Sequence, residues 1–122
     1  MTEGFKVHPV LPVTDMARSL AFWSRLGFSV SFADAKPAER AQYAGVVRGD
    51  LELHLQTFTP GQIKTTQTMA LRIETDAVET LYQDWNALGV ITAPLEAKPW
   101  GNYEFGLRDP DGTPFFFYRE TG

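Results

Sequence analysis

Two histidines and a neighbouring carboxylate are the residues of this chain best suited to chemistry at a metal ion. His8 lies in the apolar run FKVHPVLPV, and His54 lies in LELHLQ, two residues after Glu52. In a regular strand, residues two apart share a face, so Glu52 and His54 are expected on one side. Imidazole nitrogens suit zinc, nickel and iron. One hypothesis is therefore a divalent-metal site of His8, His54 and Glu52; the other is that both histidines are polar residues hydrogen-bonded to neighbours.

A tryptophan in a loop indicates a different kind of site, one that binds without reacting. Trp100 stands in KPWGNY between Pro99 and Gly101, whereas Trp23 and Trp85 fall on apolar helical stripes typical of a core. Pro99 restricts the loop, and Gly101 leaves no side chain beside the indole. A rigid aromatic beside open space can stack on a planar ligand, worth about 0.5–1.5 kcal/mol beyond its burial. The alternative is that Trp100 covers a strand end or a dimer seam.

Composition narrows the class of partner. The chain has 122 residues, a net charge of −4 and a pI near 5.1. It has no run of basic residues of the kind that nucleic-acid phosphates require, and no apolar run approaching the roughly 18 residues of a membrane span. We therefore expect neither nucleic acid nor membrane as a partner, and the acidic balance favours a cationic small molecule. The absence of cysteine fits a cytoplasmic protein.

A repeated pattern of elements must position these residues. In the first half, Thr14 or Asp15 is the expected cap of a helix that Gly27 ends. Its apolar stripe recurs at helical spacing. The stripe consists of Met16, Leu20 and Trp23.

The second half repeats this order about 60 residues later. Thr75 and Asp76 are the expected cap, Glu79 is placed as in a capping box, and Gly89 ends the helix. Its stripe consists of Val78, Leu81, Tyr82, Trp85 and Leu88. Each helix is followed by strand-like runs: FSVSFA, YAGVVR and LELHLQTF in the first half, and VITAPLEA, YEFGLR and TPFFFY in the second.

The sequence therefore predicts an α+β fold of two tandem βαβββ repeats, about 5–58 and 67–119, in a single domain spanning 1–122. The polar segment TPGQIKTTQ, residues 59–67, is expected to be a surface linker. Neither repeat can bury both faces of its own sheet. We therefore expect two curved mixed sheets around a shared cleft.

Three stretches of this pattern resemble the vicinal oxygen chelate superfamily and, within it, the bleomycin-resistance proteins. They are VHPVLPVTD, YAGVVRGDLEL and PWGNYEFGLRDPDG, and the resemblance runs from Val7 to Tyr118. It implies the glyoxalase/bleomycin-resistance fold and a non-catalytic dimer that sequesters a bleomycin-type, cationic glycopeptide antibiotic. The alternative it implies is a metal-dependent glyoxalase-like lyase or isomerase, or a dioxygenase, using His8 and His54.

The resemblance also implies ligand-binding positions. Trp100 matches an aromatic of the antibiotic groove between two subunits, with Gly101 beside it, and Tyr43 matches a groove phenylalanine. Glu104 and Asp34 are expected to offset the positive charge of the ligand. A proline at the position of Pro9 accompanies exchange of the N-terminal strand in that family, so the resemblance implies a homodimer with first-strand exchange.

Two departures from the resembling families change these expectations. The positions that hold the metal in the superfamily's enzymes correspond to His8, His54, Thr68 and Phe116. Because phenylalanine cannot ligate, no catalytic metal and no cofactor is expected. In MALRIE, the closer relatives carry tryptophans where this chain has Ala70 and Arg72. If Arg72 faces the cleft, its fixed charge opposes a cationic glycopeptide and favours a carboxylate or phosphonate.

Overall fold

The computed structural model describes residues 4, 6–65 and 69–121, and the chain divides into two compact units, residues 1–66 and 67–122. Each unit contains one four-stranded sheet. The expectation of one domain spanning both repeats stays a prediction. Among the described residues, no helix has the length and apolar character needed to cross a membrane.

The first unit follows the predicted βαβββ order. Its elements are β1 (Val10–Val13), α1 (Met16–Arg25), β2 (Ser29–Ala33), a short 3₁₀ helix (Ala38–Arg40), β3 (Tyr43–Arg48), β4 (Leu51–Thr57) and α2 (Pro60–Thr65). The sheet order is β1-β4-β3-β2, with β1 parallel to β4 and the other pairs antiparallel. The segment predicted as a polar surface linker contains a short helix, α2.

The second unit repeats the arrangement. Its elements are β5 (Leu71–Glu74), α3 (Val78–Asn86), β6 (Ile91–Ala97), β7 (Asn102–Arg108) and β8 (Pro114–Glu120). The sheet order is β5-β8-β7-β6, and β5 is parallel to β8. The predicted fold class, α+β with two βαβββ repeats and mixed sheets, is confirmed.

Helix α1 has the N-cap, the buried apolar stripe and the terminal glycine that its sequence predicts. Asp15 is the N-cap, and its carboxylate accepts the backbone N–H of Arg18 at 3.1 Å. The predicted stripe is buried, with Trp23 fully inside. Gly27 adopts a φ of +88°, a conformation that disfavours side chains with a Cβ, and the helix ends before it.

Helix α3 begins differently from the prediction. Ala77 is the N-cap without a side-chain cap bond, and Thr75 Oγ1 accepts the Ala77 N–H at 3.1 Å. The predicted capping box is wrong because Glu79 is held elsewhere: Arg119 Nε on β8 donates to its two oxygens at 3.0 and 2.9 Å. This guanidinium lowers the pKa of Glu79. Of the predicted stripe, Val78 and Trp85 are buried and Leu88 is 36% exposed.

Each sheet has one buried face and one face that we call the site face. Side chains alternate along a strand, so the residues next to those of the apolar core point to the site face. In the second unit, Trp85 packs against Phe117 and Phe105 with ring centroids 5.1 and 5.9 Å apart. The site face of the first sheet carries Phe32, Tyr43, Glu52 and His54, and that of the second carries Arg72, Ala93, Glu104 and Phe116.

Strand β1 lies at an edge of its sheet and pairs within its own chain. Val10 is in register with His54, and the His54 N–H donates to the Pro9 carbonyl at 2.9 Å. Exchange of this strand between two copies stays a prediction, and it would have to replace this intrachain pairing.

Candidate functional site

The second sheet carries a pocket on its site face. Its cavity volume is about 190 Å³. Four of its lining residues are apolar and three are charged. The apolar ones are Ala93, Trp100, Phe105 and Phe116, and the charged ones are Arg72, Lys98 and Glu104. Apolar walls with a few fixed polar groups are typical of small-molecule sites.

Glu104 is the organising group of this pocket. It comes from β7 and is only 3% exposed. Its Oε1 accepts the indole N–H of Trp100 at 3.1 Å, and its Oε2 accepts from Arg72 Nη1 at 3.3 Å. Both oxygens of Glu104 are therefore engaged in holding Trp100 and Arg72. The role expected from the sequence, neutralising the charge of a ligand, stays a prediction.

Arg72 lies on the pocket wall, and its guanidinium is held from several sides. Its Nη2 donates to Asn102 Oδ1 at 2.7 Å, and Asn102 in turn donates to Glu120 Oε2 at 3.2 Å. The guanidinium carbon stands 4.4 Å from the centre of the Tyr118 ring. Together with Glu104, these partners fix the cation while leaving the Arg72 side chain 43% exposed.

Trp100 is the exposed tryptophan among the three of this chain, all of which are described. It is 62% exposed, whereas Trp23 and Trp85 are 0% and 1% exposed. The Gly101 N–H donates to the Lys98 carbonyl at 3.0 Å, and Gly101 has a φ of +92°. A Cβ at Gly101 would meet nothing within 4 Å. Glycine is therefore favoured at this position because of its positive φ, and not because a side chain there would crowd the Trp100 indole.

The first sheet carries a hydrogen-bonded chain on its site face. The Tyr43 hydroxyl lies 2.8 Å from His54 Nδ1, and His54 Nε2 lies 2.8 Å from Glu52 Oε2. With His54 neutral, Tyr43 donates to Nδ1 and the Nε2–H donates to the carboxylate. The ring of His8 stacks on His54 at 4.9 Å, with 15° between the planes.

The same residues fit a divalent metal. One ligand atom each of His8, Glu52 and His54 lies within 4.8 Å of the others. Two imidazoles and one carboxylate form the three-ligand set of many catalytic zinc and non-haem iron sites. With Nε2 on the metal, the Nδ1–H of His54 could donate to Tyr43, as metal-bound histidines usually do to an outer partner.

The described positions of the second repeat do not supply matching ligands. Val10 pairs with His54 in the first sheet, and Arg72 pairs with Phe116 in the second. Phe116 therefore occupies the place of His54, as the sequence suggested. This register makes Ala70 the counterpart of His8; Thr68, named for that place from the sequence, lies outside the described residues.

The sequence-derived site residues divide between the two units. Trp100, Gly101, Glu104 and Arg72 belong to the second unit, where three of them line the pocket. Tyr43 and Asp34 belong to the first.

Asp34 has a local partner in the loop before β3. It is exposed, and its Oδ1 accepts the Gln42 N–H at 2.9 Å. Its own N–H donates to the Tyr43 carbonyl at 3.1 Å. These bonds order the loop at the start of β3.

Four pocket residues were missed as ligand contacts by the sequence reasoning. Lys98 precedes Trp100 by two residues in KPWG, and this proximity was an available signal. Ala93 and Phe105 gave no signal because small and aromatic residues on strands are common. Phe116 was considered only as a failed metal ligand.

The fold and the site together define a class: two βαβββ repeats with a partly apolar, partly charged pocket on a sheet face. The family model described as Glyoxalase/Bleomycin resistance protein/Dioxygenase superfamily matches residues 7–117. The chain belongs to this superfamily.

Individual relatives are similar over nearly their whole length. A bleomycin resistance protein of Klebsiella pneumoniae is 31% identical over 114 residues, covering 86% of this chain and 84% of that protein. The crystal structure of a bleomycin resistance determinant encoded on the transposon Tn5 superposes with a TM-score of 0.79 and 25% identity, over 96% of this chain and 98% of that one. A bleomycin-binding protein complexed with bleomycin gives a TM-score of 0.78 and 27% identity, over 96% and 99%.

Proposed function

We propose that this protein binds a bleomycin-type glycopeptide antibiotic and protects its host by sequestering it, without making or breaking a bond in the ligand. The proposal places this activity in the cytoplasm and assigns stacking to Trp100 and Tyr43. Gly101 sets the turn that carries Trp100, and Arg72 and Asp34 are charged contacts at the edges.

The observation that carries the proposal is the state of Trp100. An indole 62% exposed to solvent is nevertheless fixed, because the buried Glu104 accepts its N–H at 3.1 Å. A fixed aromatic surface loses little conformational entropy when a planar group stacks on it. The bleomycin-binding protein and the resistance proteins reported above supply independent support.

The pocket volume supports a dimeric form of the site. About 190 Å³ is smaller than the roughly 300–1,000 Å³ of sites for drug-sized molecules, and a glycopeptide needs more surface than that. We propose that a second copy of the chain supplies it, with the first strand exchanged between the copies. Val7 and Val10, 88% and 48% exposed at and before the edge strand β1, are apolar surface that such an exchange would cover.

The test of binding is a titration of tryptophan fluorescence with copper-loaded bleomycin. We expect saturable quenching at micromolar or lower concentration. Free tryptophan serves as the control for light absorbed by the copper complex. In Trp100→Ala we expect affinity to fall at least about tenfold, because a stacking contact and its buried area are lost.

Two further variants separate the roles of ring and hydrogen bond. Trp100→Phe keeps an aromatic face but cannot donate to Glu104, and it should lose less affinity than Trp100→Ala. Tyr43→Phe tests the first unit in the same assay. Saturable binding that is identical in all variants would remove Trp100 and Tyr43 from the site, and no saturation in the parent protein would reject bleomycin itself.

Light scattering coupled to size-exclusion chromatography tests the assembly. We expect a mass of two chains at micromolar concentration. A monomer under these conditions, with bleomycin still bound, would refute the dimeric site while leaving the binding function intact.

The cluster of His8, Glu52 and His54 favours a second candidate function, that of a metal-dependent lyase, isomerase or dioxygenase. These three residues would hold the ion, which would polarise a substrate oxygen as a Lewis acid. The protein's own contribution would be the orientation of the His54 ring, whose Nδ1–H would be accepted by the Tyr43 hydroxyl.

Metal analysis of protein purified without chelator tests this candidate. It predicts close to one zinc, iron or nickel per chain, lost in the His8→Ala and His54→Ala variants. Retention of the metal in both variants, or a content below about a tenth of an equivalent after incubation with each ion, would reject it, since three ligands at such distances should bind an available ion.

A further inference from the structure

The pocket of the second sheet exists because one side chain is small. Ala93 pairs with Gly106 across β6 and β7, and in the first sheet Phe32 pairs with Gly45 at the matching place. The Phe32 ring lies over Gly45 and 5.0 Å from the ring of His54. Ala93 carries no side chain beyond Cβ, and the cavity of about 190 Å³ is lined by Ala93 together with Phe116, whose ring lies over Gly106.

The volume and walls of this cavity suit a single aromatic ring. Trp100 and Phe116 present ring surfaces to it, and Ala93 completes the apolar lining, whereas the Phe105 side chain packs against Trp85 on the buried face. A cavity below the usual size for drug-like ligands can enclose only a small molecule or one ring of a larger one. Aromatic walls favour a planar occupant, because stacked and edge-to-face rings attract each other.

The charges of the lining favour a negative group on that ring. Two cations, Arg72 and Lys98, line the cavity together with one carboxylate, Glu104. Glu104 already accepts hydrogen bonds at both oxygens, from Trp100 and Arg72, and it is buried. It is therefore poorly placed to receive a cation from a ligand.

Arg72 retains the capacity to bind a carboxylate. A guanidinium has five N–H donors, and the bonds to Glu104 and Asn102 use two of them. Its side chain is 43% exposed. Lys98 is held 2.5 Å from Glu96 Oε1 and stands 6.0 Å from the centre of the Trp100 ring. A ligand carboxylate at the pocket mouth would meet Arg72 first and Lys98 beside the indole.

We propose that this pocket is a binding site for a small aromatic carboxylic acid, with the ring between Trp100 and Phe116 and the carboxylate on Arg72. This ligand class differs from the cationic glycopeptide of the proposed function and does not depend on it. The acid and the glycopeptide would share Trp100, so the proposal also predicts that they compete.

A series of three ring compounds of similar shape and different charge tests the proposal. Calorimetry or Trp100 fluorescence is used to measure binding of benzoate, benzamide and benzamidinium to the full chain. We expect benzoate to bind about tenfold (about 1.4 kcal/mol) more tightly than benzamide, since a hydrogen bond between two charged groups is stronger than one to a neutral amide. Equal or tighter binding of benzamidinium would overturn the proposal, as would no benzoate binding at millimolar concentration.

Two variants locate the site. Ala93→Phe copies the first sheet and should abolish benzoate binding by filling the cavity. The double variant Arg72→Gln/Glu104→Gln removes both charges without leaving a buried carboxylate alone. It should lose most of the preference for benzoate over benzamide, with Lys98 left as the remaining cation of the lining. Unchanged benzoate affinity in Ala93→Phe would place the acid outside this pocket and refute the assignment.

The proposed function and this inference fail separately. Benzoate binding without any response to copper-bleomycin would leave the acid site standing and reject the antibiotic. Saturable bleomycin binding, with no binding of benzoate either by itself or in competition with bleomycin, would reject the acid site and leave the antibiotic function standing.

Discussion

The site faces of the two sheets share one backbone pattern and carry different chemistry. Gly45 pairs with His54 on the first sheet, and Gly106 pairs with Phe116 on the second. Two residues before these glycines stand Tyr43 and Glu104. A hydrogen-bonded aromatic cluster on one face thus corresponds to a pocket with a buried carboxylate on the other.

The edge strands extend this contrast. Val10 on β1 occupies the register position of Arg72 on β5, opposite His54 and Phe116 respectively. The first site face therefore lacks a cation at the place where the second has one. On the buried faces the repeats agree, with a helix tryptophan, Trp23 or Trp85, inside each unit. The two units therefore share a buried helix tryptophan and differ in the residues of their site faces.

The largest expected effect is on stability, and it distinguishes a tryptophan of the buried face from a tryptophan at the pocket within the second unit. Trp85→Ala should lower the free energy of unfolding by about 3–5 kcal/mol, because it empties a core position that contacts Phe105 and Phe117. Trp100→Ala should cost less, about 1–2 kcal/mol, since its ring is mostly in solvent but the buried Glu104 loses one hydrogen-bond donor. Urea unfolding of both variants measures the difference.

The stability of Trp100→Ala shows whether Trp100 is mainly a structural residue or a binding residue. A loss for Trp100→Ala close to that for Trp85→Ala would make it a structural residue and would remove the observation on which the proposed function stands. Trp23→Ala is the matched control in the first unit and should resemble Trp85→Ala.

A second contrast lies in the turns that join corresponding strands. Gly49 and Asp50 connect β3 and β4 with Asp50 exposed, whereas Asp109 between β7 and β8 is 6% exposed. Burial raises the pKa of Asp109 to about 6, against hydrogen bonds from the backbone of Thr113 and Asp111 that lower it. The native state therefore keeps this proton to a higher pH than the unfolded chain does.

The sign of the resulting pH dependence follows from that difference. Between about pH 4 and 6 the native state binds more protons at Asp109, so its stabilising contribution is complete in acid and is lost as pH rises through about 6. The loss is at most about 3 kcal/mol, at about 1.4 kcal/mol for each pKa unit. Asp109→Asn keeps the acceptor oxygen and cannot ionise.

The measurement is the difference in unfolding free energy between the parent and Asp109→Asn from pH 4 to 7. It should fall as pH rises. A difference that stays constant would show that Asp109 ionises with the same pKa in both states, and one that rises would reverse the assignment.

The scaffold of this protein was predictable from its sequence because its signals are local. Apolar spacing placed α1 and put Trp23 and Trp85 in the core, and Gly27 marked a helix end. The capping box predicted for α3 is wrong because Glu79 binds Arg119, which lies 40 residues further along the chain. A long-range ion pair leaves no trace in local spacing.

The pocket was less predictable because it depends on register across strands. Both β2 and β6 contain an irregularity, between Val30 and Phe32 and between Ile91 and Ala93. Such a bulge changes which residue faces which side, so alternation along the sequence does not reveal that Phe32 and Ala93 correspond. Trp100 was identified because a loop tryptophan is unusual by itself, without any knowledge of pairing.

The smallest expected effect comes from removing the Phe32 ring from the site face of the first sheet. Phe32 is 40% exposed, so Phe32→Ala should cost about 1 kcal/mol of stability, less than a fully buried phenylalanine. It removes ring contacts with Tyr43 and His54, and it leaves open volume where the second sheet has its pocket. Chemical denaturation measures the cost.

The swap variant Phe32→Ala/Ala93→Phe then asks whether shape alone makes the acid site. We expect no benzoate binding, because the first face has Val10 where the second has Arg72 and therefore offers the carboxylate no guanidinium at that position. If the swapped protein binds benzamide and benzoate with equal, weak affinity, the new cavity accepts the ring without recognising the carboxylate. Preferential benzoate binding by the swapped protein would show that the cation is dispensable, and the contrast between the two faces would then reduce to the size of one side chain.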